Sequence, residues 1–287
     1  VMDILVSTSW LAHEMQAARP ADDLVILDAS AHLPGAQRDA AAEFTAGHIS
    51  GARFLDLPSL KDETSPVPSA LPRHDQFDAR MRSLGVGTCG RIVLYDNSAL
   101  RSAARAYFIF RMFGLDNVAI LDGGLQKWLS ENRPIHSGPA NVAPSGFTAP
   151  QEDQTRVRSK AQVLANLDSC AEQIVDARDG ARFCGTTRDT VHDLPGGHIP
   201  GALNLHYADL LADDGTFLPQ AEIERAFLQA QVDLSAPVTA TCGSGMTASV
   251  LLFAMELIGK HDTALYDGSW SEWGRDPDTP KQTGPSR

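Results

Sequence analysis

Cysteine is scarce in this chain. Four thiols, at positions 89, 170, 184 and 242, are spread over 287 residues, and none forms a Cys-x-x-Cys pair. That sparseness excludes a disulfide-stapled framework and fits reduced thiols in a reducing cytoplasm. No His/Cys cluster has zinc-site spacing, and no motif calls for a cofactor. Long apolar runs are also missing. No stretch approaches the roughly 18 residues a membrane span needs, so no membrane association is expected. Residues 1–10 have neither the basic start nor the apolar run of a signal peptide, so the expected location is cytoplasmic. Positive charge is the minority: 24 basic against 36 acidic side chains give a net charge of −12. A field of that sign repels phosphate backbones, so nucleic acid is not an expected partner. A small anionic substrate stays allowed, because a pocket can be locally positive.

What is present is an ordinary globular composition, 43% hydrophobic and 21% charged, long enough for two domains of about 150 residues. The sequence repeats itself once. Val25-Ile26-Leu27-Asp28 resembles Ile174-Val175-Asp176. Gly47-His48-Ile49-Ser50-Gly51-Ala52 resembles Gly197-His198-Ile199-Pro200-Gly201-Ala202. The run ending at Asp96 aligns with the run ending at Cys242. Asp122-Gly123-Gly124 with Trp128 aligns with Asp267-Gly268-Ser269 with Trp273. Four blocks in one order at nearly one offset point to a duplication.

Each half alternates short Val/Ile/Leu runs with helical patterns. The runs near 25–30, 91–96 and 118–122, and near 173–177, 238–242 and 263–267, read as strands buried on both faces. The stretches 103–113 and 246–258 read as buried helices. Such alternation predicts an α/β fold with a parallel sheet in each half. The expected division is a first domain over 1–137, a Pro/Gly/Ser-rich linker over 138–155 and a second domain over 156–287. The polar, proline-containing end, 276–287, is expected to be a loose tail.

The chemistry concentrates at Cys242-Gly243-Ser244-Gly245-Met246-Thr247, between an apolar strand and a helix. Ligands of open parallel sheets bind beyond the carboxyl ends of strands. A glycine-rich loop curled there aims several backbone N–H groups at one point, an anion nest. A cysteine in such a nest is expected to be a nucleophilic thiolate; the alternative is a structural cysteine beside a glycine turn. Two chemistries use this cradle. Phosphate-ester hydrolysis needs an arginine closing a Cys-x5-Arg loop, but that position is Ala248, and no basic residue occurs over 243–248. Sulfur transfer through a persulfide needs the nest without the arginine.

Taken together, the paired halves, the two Gly-His-Ile-x-Gly-Ala segments, the Cys-Gly-Ser-Gly-x-Thr loop and Tyr266-Asp267-Gly268-Ser269-Trp270 resemble the tandem-domain rhodanese superfamily, most closely its 3-mercaptopyruvate sulfurtransferase branch. The resemblance implies two rhodanese-like domains. The second is catalytic through Cys242. The first is inactive, with Asp96 where a cysteine would stand. It implies a small-molecule sulfur donor and a thiol, thioredoxin-like or cyanide acceptor. Thiosulfate-using members carry Arg and Lys after the cysteine. Gly243 and Ser244 here make a neutral loop suited to a singly charged donor, with Gly243, Ser244, Gly245, Met246 and Thr247 contacting it. A non-turnover sulfur carrier is a further alternative.

Two arginines hold the donor in the family. Arg182 matches the first. The second position counts back to Val191, leaving Arg188 as the nearest substitute and Arg178, close to a strand aspartate, as its rival. Arg105 matches an arginine that faces the interdomain cleft in relatives. The mercaptopyruvate-type members carry a histidine between a Thr-Ser-Pro segment and a Leu-Pro. Here Ser69 takes its place, and the accompanying aspartate position reads Pro58, so that relay is absent or rebuilt from other residues. His48 and His198 occur in both halves, which points to a structural role, and Trp128 and Trp273 read as packing anchors.

Overall fold

The computed structural model describes residues 2–17, 24–87 and 90–286; Cys89 lies outside them. The chain divides into two units. The first comprises Val1–Asp62, Leu71–Asp153 and Asp213–Phe217, and the second Glu63–Ala70, Gln154–Ala212 and Leu218–Arg287. Each unit therefore includes a short stretch from the other half of the sequence.

The two sheets share one topology. In the first unit the strands run in the order Leu5–Val6, Val118–Leu121, Arg91–Tyr95, Leu24–Asp28, Arg53–Phe54, all parallel. In the second the corresponding order is Val157–Arg158, Thr263–Tyr266, Val238–Thr241, Gln173–Asp176, Leu203–Asn204, again all parallel. The central strands are buried throughout most of their length, as apolar runs covered on both faces must be. Helices Ala103–Met112 and Ala248–Leu257 follow the central strands directly and are almost wholly buried. That succession places residues 96 and 242 at equivalent strand ends, the position from which such sheets present ligand-binding loops.

The repeated histidines and tryptophans are structural. His48 Nδ1 donates to the Phe44 carbonyl at 2.7 Å and His198 Nδ1 to that of Phe183 at 2.9 Å. Each ring stacks on its phenylalanine, at 3.9 and 3.8 Å between centroids. Burial lowers the His198 pKa and outweighs the bond to Phe183, which pulls it up, so the neutral ring is favoured. The indole N–H groups of Trp128 and Trp273 donate to the carbonyls of Pro134 and Pro280.

Two stretches differ from the sequence expectation. The tail is tied down: Gln282 exchanges both backbone hydrogen bonds with His198, Thr279 Oγ1 donates to the Trp273 carbonyl, and Gly284 N donates to that of Cys184. The buried Trp273 indole needs an acceptor, and Pro280 on the tail supplies it. The segment expected as a linker is held against the first unit as far as Asp153. Phe147 and Ala149 are buried there, the Phe147 ring stands edge-on to Phe77, and Ala149 N donates to Asp78 at 2.7 Å. Two apolar anchors outweigh the loop-like composition around them.

Candidate active site

Strand Val238–Thr241 delivers Cys242 to the head of a tight loop, and helix Ala248–Leu257 begins six residues later. Gly245 takes φ +79°, a left-handed conformation that favours glycine. Cys242, Gly243, Gly245 and Thr247 are buried, whereas Ser244 and Met246 are partly exposed. Cys242 as a whole is only 2% exposed, so it is sheltered rather than displayed.

The loop is stitched from outside by residues 269–271. Ser269 Oγ accepts from Cys242 N at 3.2 Å and Gly245 N at 3.1 Å while donating to the Tyr266 carbonyl at 2.9 Å. Trp270 N donates to the Cys242 carbonyl and Ser271 N to that of Gly243. Ser269 is fully buried and holds φ +49°, a conformation costly for a non-glycine residue. Its counterpart in the first unit is Gly124, with φ +56°. The serine thus keeps the strained backbone in exchange for a hydroxyl that fixes two loop amides. Ser269→Ala is expected to cost about 1–3 kcal/mol, the penalty of leaving buried amides unsatisfied. Thermal unfolding, with the alkylation rate of Cys242 measured alongside, checks this; an unchanged melting temperature and alkylation rate would contradict it.

The amides of Gly243, Ser244, Met246 and Thr247 have no hydrogen-bond acceptor among the described residues. The first unit serves as an internal comparison. Asp96, 5% exposed, turns its own carboxylate into the equivalent loop: Oδ1 accepts from Ser98 N at 3.0 Å and Oδ2 from Ala103 N at 2.8 Å. Burial pushes the Asp96 carboxyl up, while those two amides pull it down. A cavity of about 20 Å³ beside it has room for a single water. In the first unit the equivalent loop closes on a built-in carboxyl group, which carries no sulfur.

Arg182 lies on the short helix Gly180–Cys184. Its Nε donates to Asp179 Oδ2 at 2.5 Å, and its Nη1 is 3.8 Å from Asp189 Oδ1. Asp189 in turn holds His192, Nδ1 to Oδ2 at 3.0 Å. Burial pushes the Asp189 carboxyl up, but His192 and then Arg182 outweigh it and hold it below the usual carboxylate range. The His192 ring lies directly over Gly243. A Cβ on that glycine would come within 2.3 Å of His192 Cε1, so only glycine leaves room for the ring. Arg182, Asp189, His192 and the Cys242 loop therefore form one connected group.

Arg188 does not join this group: its guanidinium pairs with Asp193 at 2.8 Å, more than half exposed. Val191, at the position of the family's second arginine, is exposed. Arg178 is buried and forked onto Asp176, with Nη2 also donating to the Gly197 carbonyl, and it covers the Trp270 ring at 4.7 Å. It is a structural ion pair. Arg105 is 4% exposed, within helix Ala103–Met112 of the first unit. His74 Nε2 donates to the Pro150 carbonyl in the first unit, whereas Ser69 belongs to the stretch counted with the second. Ala248, where a phosphatase needs its arginine, is fully buried. No group of three or more His, Cys, Asp or Glu among the described residues could hold a metal ion. Sequence reasoning missed Ser269, Asp189 and His192. The Asp189-x-x-His192 spacing beside the Val191 position was the one local signal.

Comparison with known proteins places this geometry. The family model of the rhodanese-like domain matches residues 8–131 and again 159–276. The chain is 42% identical over 271 residues to the 3-mercaptopyruvate sulfurtransferase of Mus musculus, covering 94% of this chain and 91% of the relative. It is 40% identical over 271 residues to the thiosulfate sulfurtransferase of Gallus gallus, covering 94% and 92%. Among solved structures, SseA from Escherichia coli, described as a 3-mercaptopyruvate sulfotransferase with a rhodanese fold, superposes with a TM-score of 0.84 at 35% identity, over 94% of this chain and 99% of that one. Two matched domains, a shared sheet topology and one cysteine loop agree: the chain belongs to the rhodanese family, as a tandem of two rhodanese-like domains.

Proposed function

We propose that this chain is a sulfurtransferase that takes sulfur from 3-mercaptopyruvate onto Cys242 as a persulfide, releases pyruvate, and passes the sulfur to a thiol, a thioredoxin-like dithiol or cyanide. The observation that carries the reading is the loop itself: a buried cysteine at the central strand end, heading a tight glycine-containing turn with no basic side chain over 243–248. A persulfide anion is held there by oriented N–H groups. Arg182, linked through Asp189 to the His192 ring over Gly243, is assigned to receive the donor's carboxylate. Arg188 is more than half exposed and pairs outside the Asp189–His192 group, so that role falls to Arg182 alone. Free Cys170, Cys184 and Cys242 are compatible with the reducing cytoplasm proposed as its location.

Thiosulfate is the second reading, favoured by the relatives that bear that name. A dianion facing a neutral loop lacks at least one charge-assisted contact. The expected kcat/KM with mercaptopyruvate therefore exceeds that with thiosulfate by at least about tenfold, the worth of one such bond. Steady-state assays with both donors and a common acceptor decide the matter. A larger kcat/KM for thiosulfate would overturn the donor assignment.

A further inference from the structure

The His192 ring overlies the nucleophile loop at Gly243 with a carboxylate behind it. The turn that carries it is closed by two backbone bonds between Asp189 and Leu194, and Asp189 Oδ1 also accepts from the amides of Val191 and His192. Asp189 is fully buried, whereas the His192 side chain keeps 14% exposure. Asp189 accepts the hydrogen bond of Nδ1–H, which leaves Nε2 as the nitrogen available for chemistry; it has no partner among the described residues. The ring occupies the space a side chain at 243 would fill, with Nε2 3.3 Å from that position, next in sequence to Cys242. The charged groups around it are Asp189 on its own turn, Arg182 beyond that carboxylate and Arg275, whose Nη2 donates to the His192 carbonyl at 3.3 Å; the Cys242 thiol is the titratable group of the loop beneath it. A nucleophile, an imidazole and an orienting carboxylate in that order are the parts of an acid–base relay.

We propose that His192, oriented by Asp189, is the catalytic acid–base residue of the Cys242 site. The proposal rests on the sulfur-transfer reading above. Cys242 Sγ attacks the donor sulfur, forming an S–S bond, and the donor's S–C bond breaks with its electron pair on carbon, giving the enolate of pyruvate. The proton on the donor thiol passes to Nε2 and from there to that carbon. The products are a Cys242 persulfide anion and pyruvate; every atom and charge comes from the thiolate and the donor, with no outside oxidant. Thiosulfate carries no proton on the sulfur it gives, and its leaving group is sulfite, so the same attack requires no relay.

That asymmetry supplies the test. Persulfide formation is measured in single turnover with mercaptopyruvate and with thiosulfate, for wild type, His192→Asn and His192→Gln, with thermal melts to check folding. The mercaptopyruvate rate is expected to fall about 100-fold, the usual worth of a general acid–base group, and to recover in part with added imidazole. The thiosulfate rate should fall far less. Equal losses with both donors, or no loss with mercaptopyruvate, would overturn the role of His192. Should neither variant fold, the wild-type pH profiles decide: kcat with mercaptopyruvate must show an acidic limb that the thiosulfate rate lacks, and coincident profiles overturn the proposal. A wild type that forms no persulfide with either donor would instead sink the sulfur-transfer reading.

Discussion

Cys242→Ser is expected to lose sulfur transfer by at least about 10⁴-fold, as when the nucleophile of a covalent mechanism is removed. The serine fits the site, since one sulfur becomes oxygen in a loop held mainly by backbone bonds to residues 269–271. Stability should therefore stay near wild type while activity disappears. A hydroxyl cannot form a persulfide, so residual donor turnover must come from elsewhere. Cys170, exposed at the C-terminal end of helix Lys160–Ser169, is the natural control; Cys170→Ser is expected to keep full activity. Steady-state rates of the two variants, with far-UV circular dichroism to confirm folding, check this. A Cys242→Ser enzyme within tenfold of wild type would place the chemistry on another residue.

The second large effect is structural. Arg178→Ala is expected to destabilise the second unit by about 3–5 kcal/mol, the cost of leaving a buried charge without its partner. Asp176 and Arg178 are each 1% exposed. The guanidinium makes bonds of 2.6 to 3.1 Å to the carboxylate, one of 2.7 Å to the Gly197 carbonyl, and a face contact with Trp270. Truncation removes all of these and strands a carboxylate beneath the loop-bearing sheet. A loss of that size is a large share of a domain's usual 5–15 kcal/mol, roughly speaking. The first unit shows how the fold manages without the pair: at the position equivalent to Arg178 stands Ser30, whose amide donates to Asp28, and burial pushes the Asp28 carboxyl up. Asp176→Asn combined with Arg178→Ala should therefore recover part of the lost stability. Urea titration of the three variants measures both effects. A loss below about 1 kcal/mol for Arg178→Ala would mean the pair's desolvation cancels its attraction.

Much of this architecture is legible in the residues themselves. Buried parallel strands must be continuous apolar runs, so the six strong runs fall on the observed strands within a residue or two. The repeated Gly-His-Ile and Asp-Gly blocks betray the duplication because the same ring stacking and turn recur in each unit. The Cys242 loop is visible because glycine spacing, a strand end and a helix start are all local features. What escapes is what depends on segments far apart in the chain. Ser269 reaches the loop from 27 residues away, and His192 meets Gly243 through a turn whose sequence resembles any surface hairpin. The tail defeats a composition-based reading because it is held by bonds to residues outside it, among them Pro280 to the Trp273 indole and Gln282 to His198. Arg178 and Arg188 look alike as letters; one is forked onto a buried aspartate and the other paired at an exposed turn.

The decisive measurement is intact-protein mass spectrometry of the wild-type chain after brief exposure to 3-mercaptopyruvate, followed by peptide mapping. A gain of one sulfur atom, located on Cys242 and removed by a thiol acceptor with no other residue modified, is the expected result. An unchanged mass, or a sulfur found on Cys170 or Cys184 with Cys242 untouched, would contradict it.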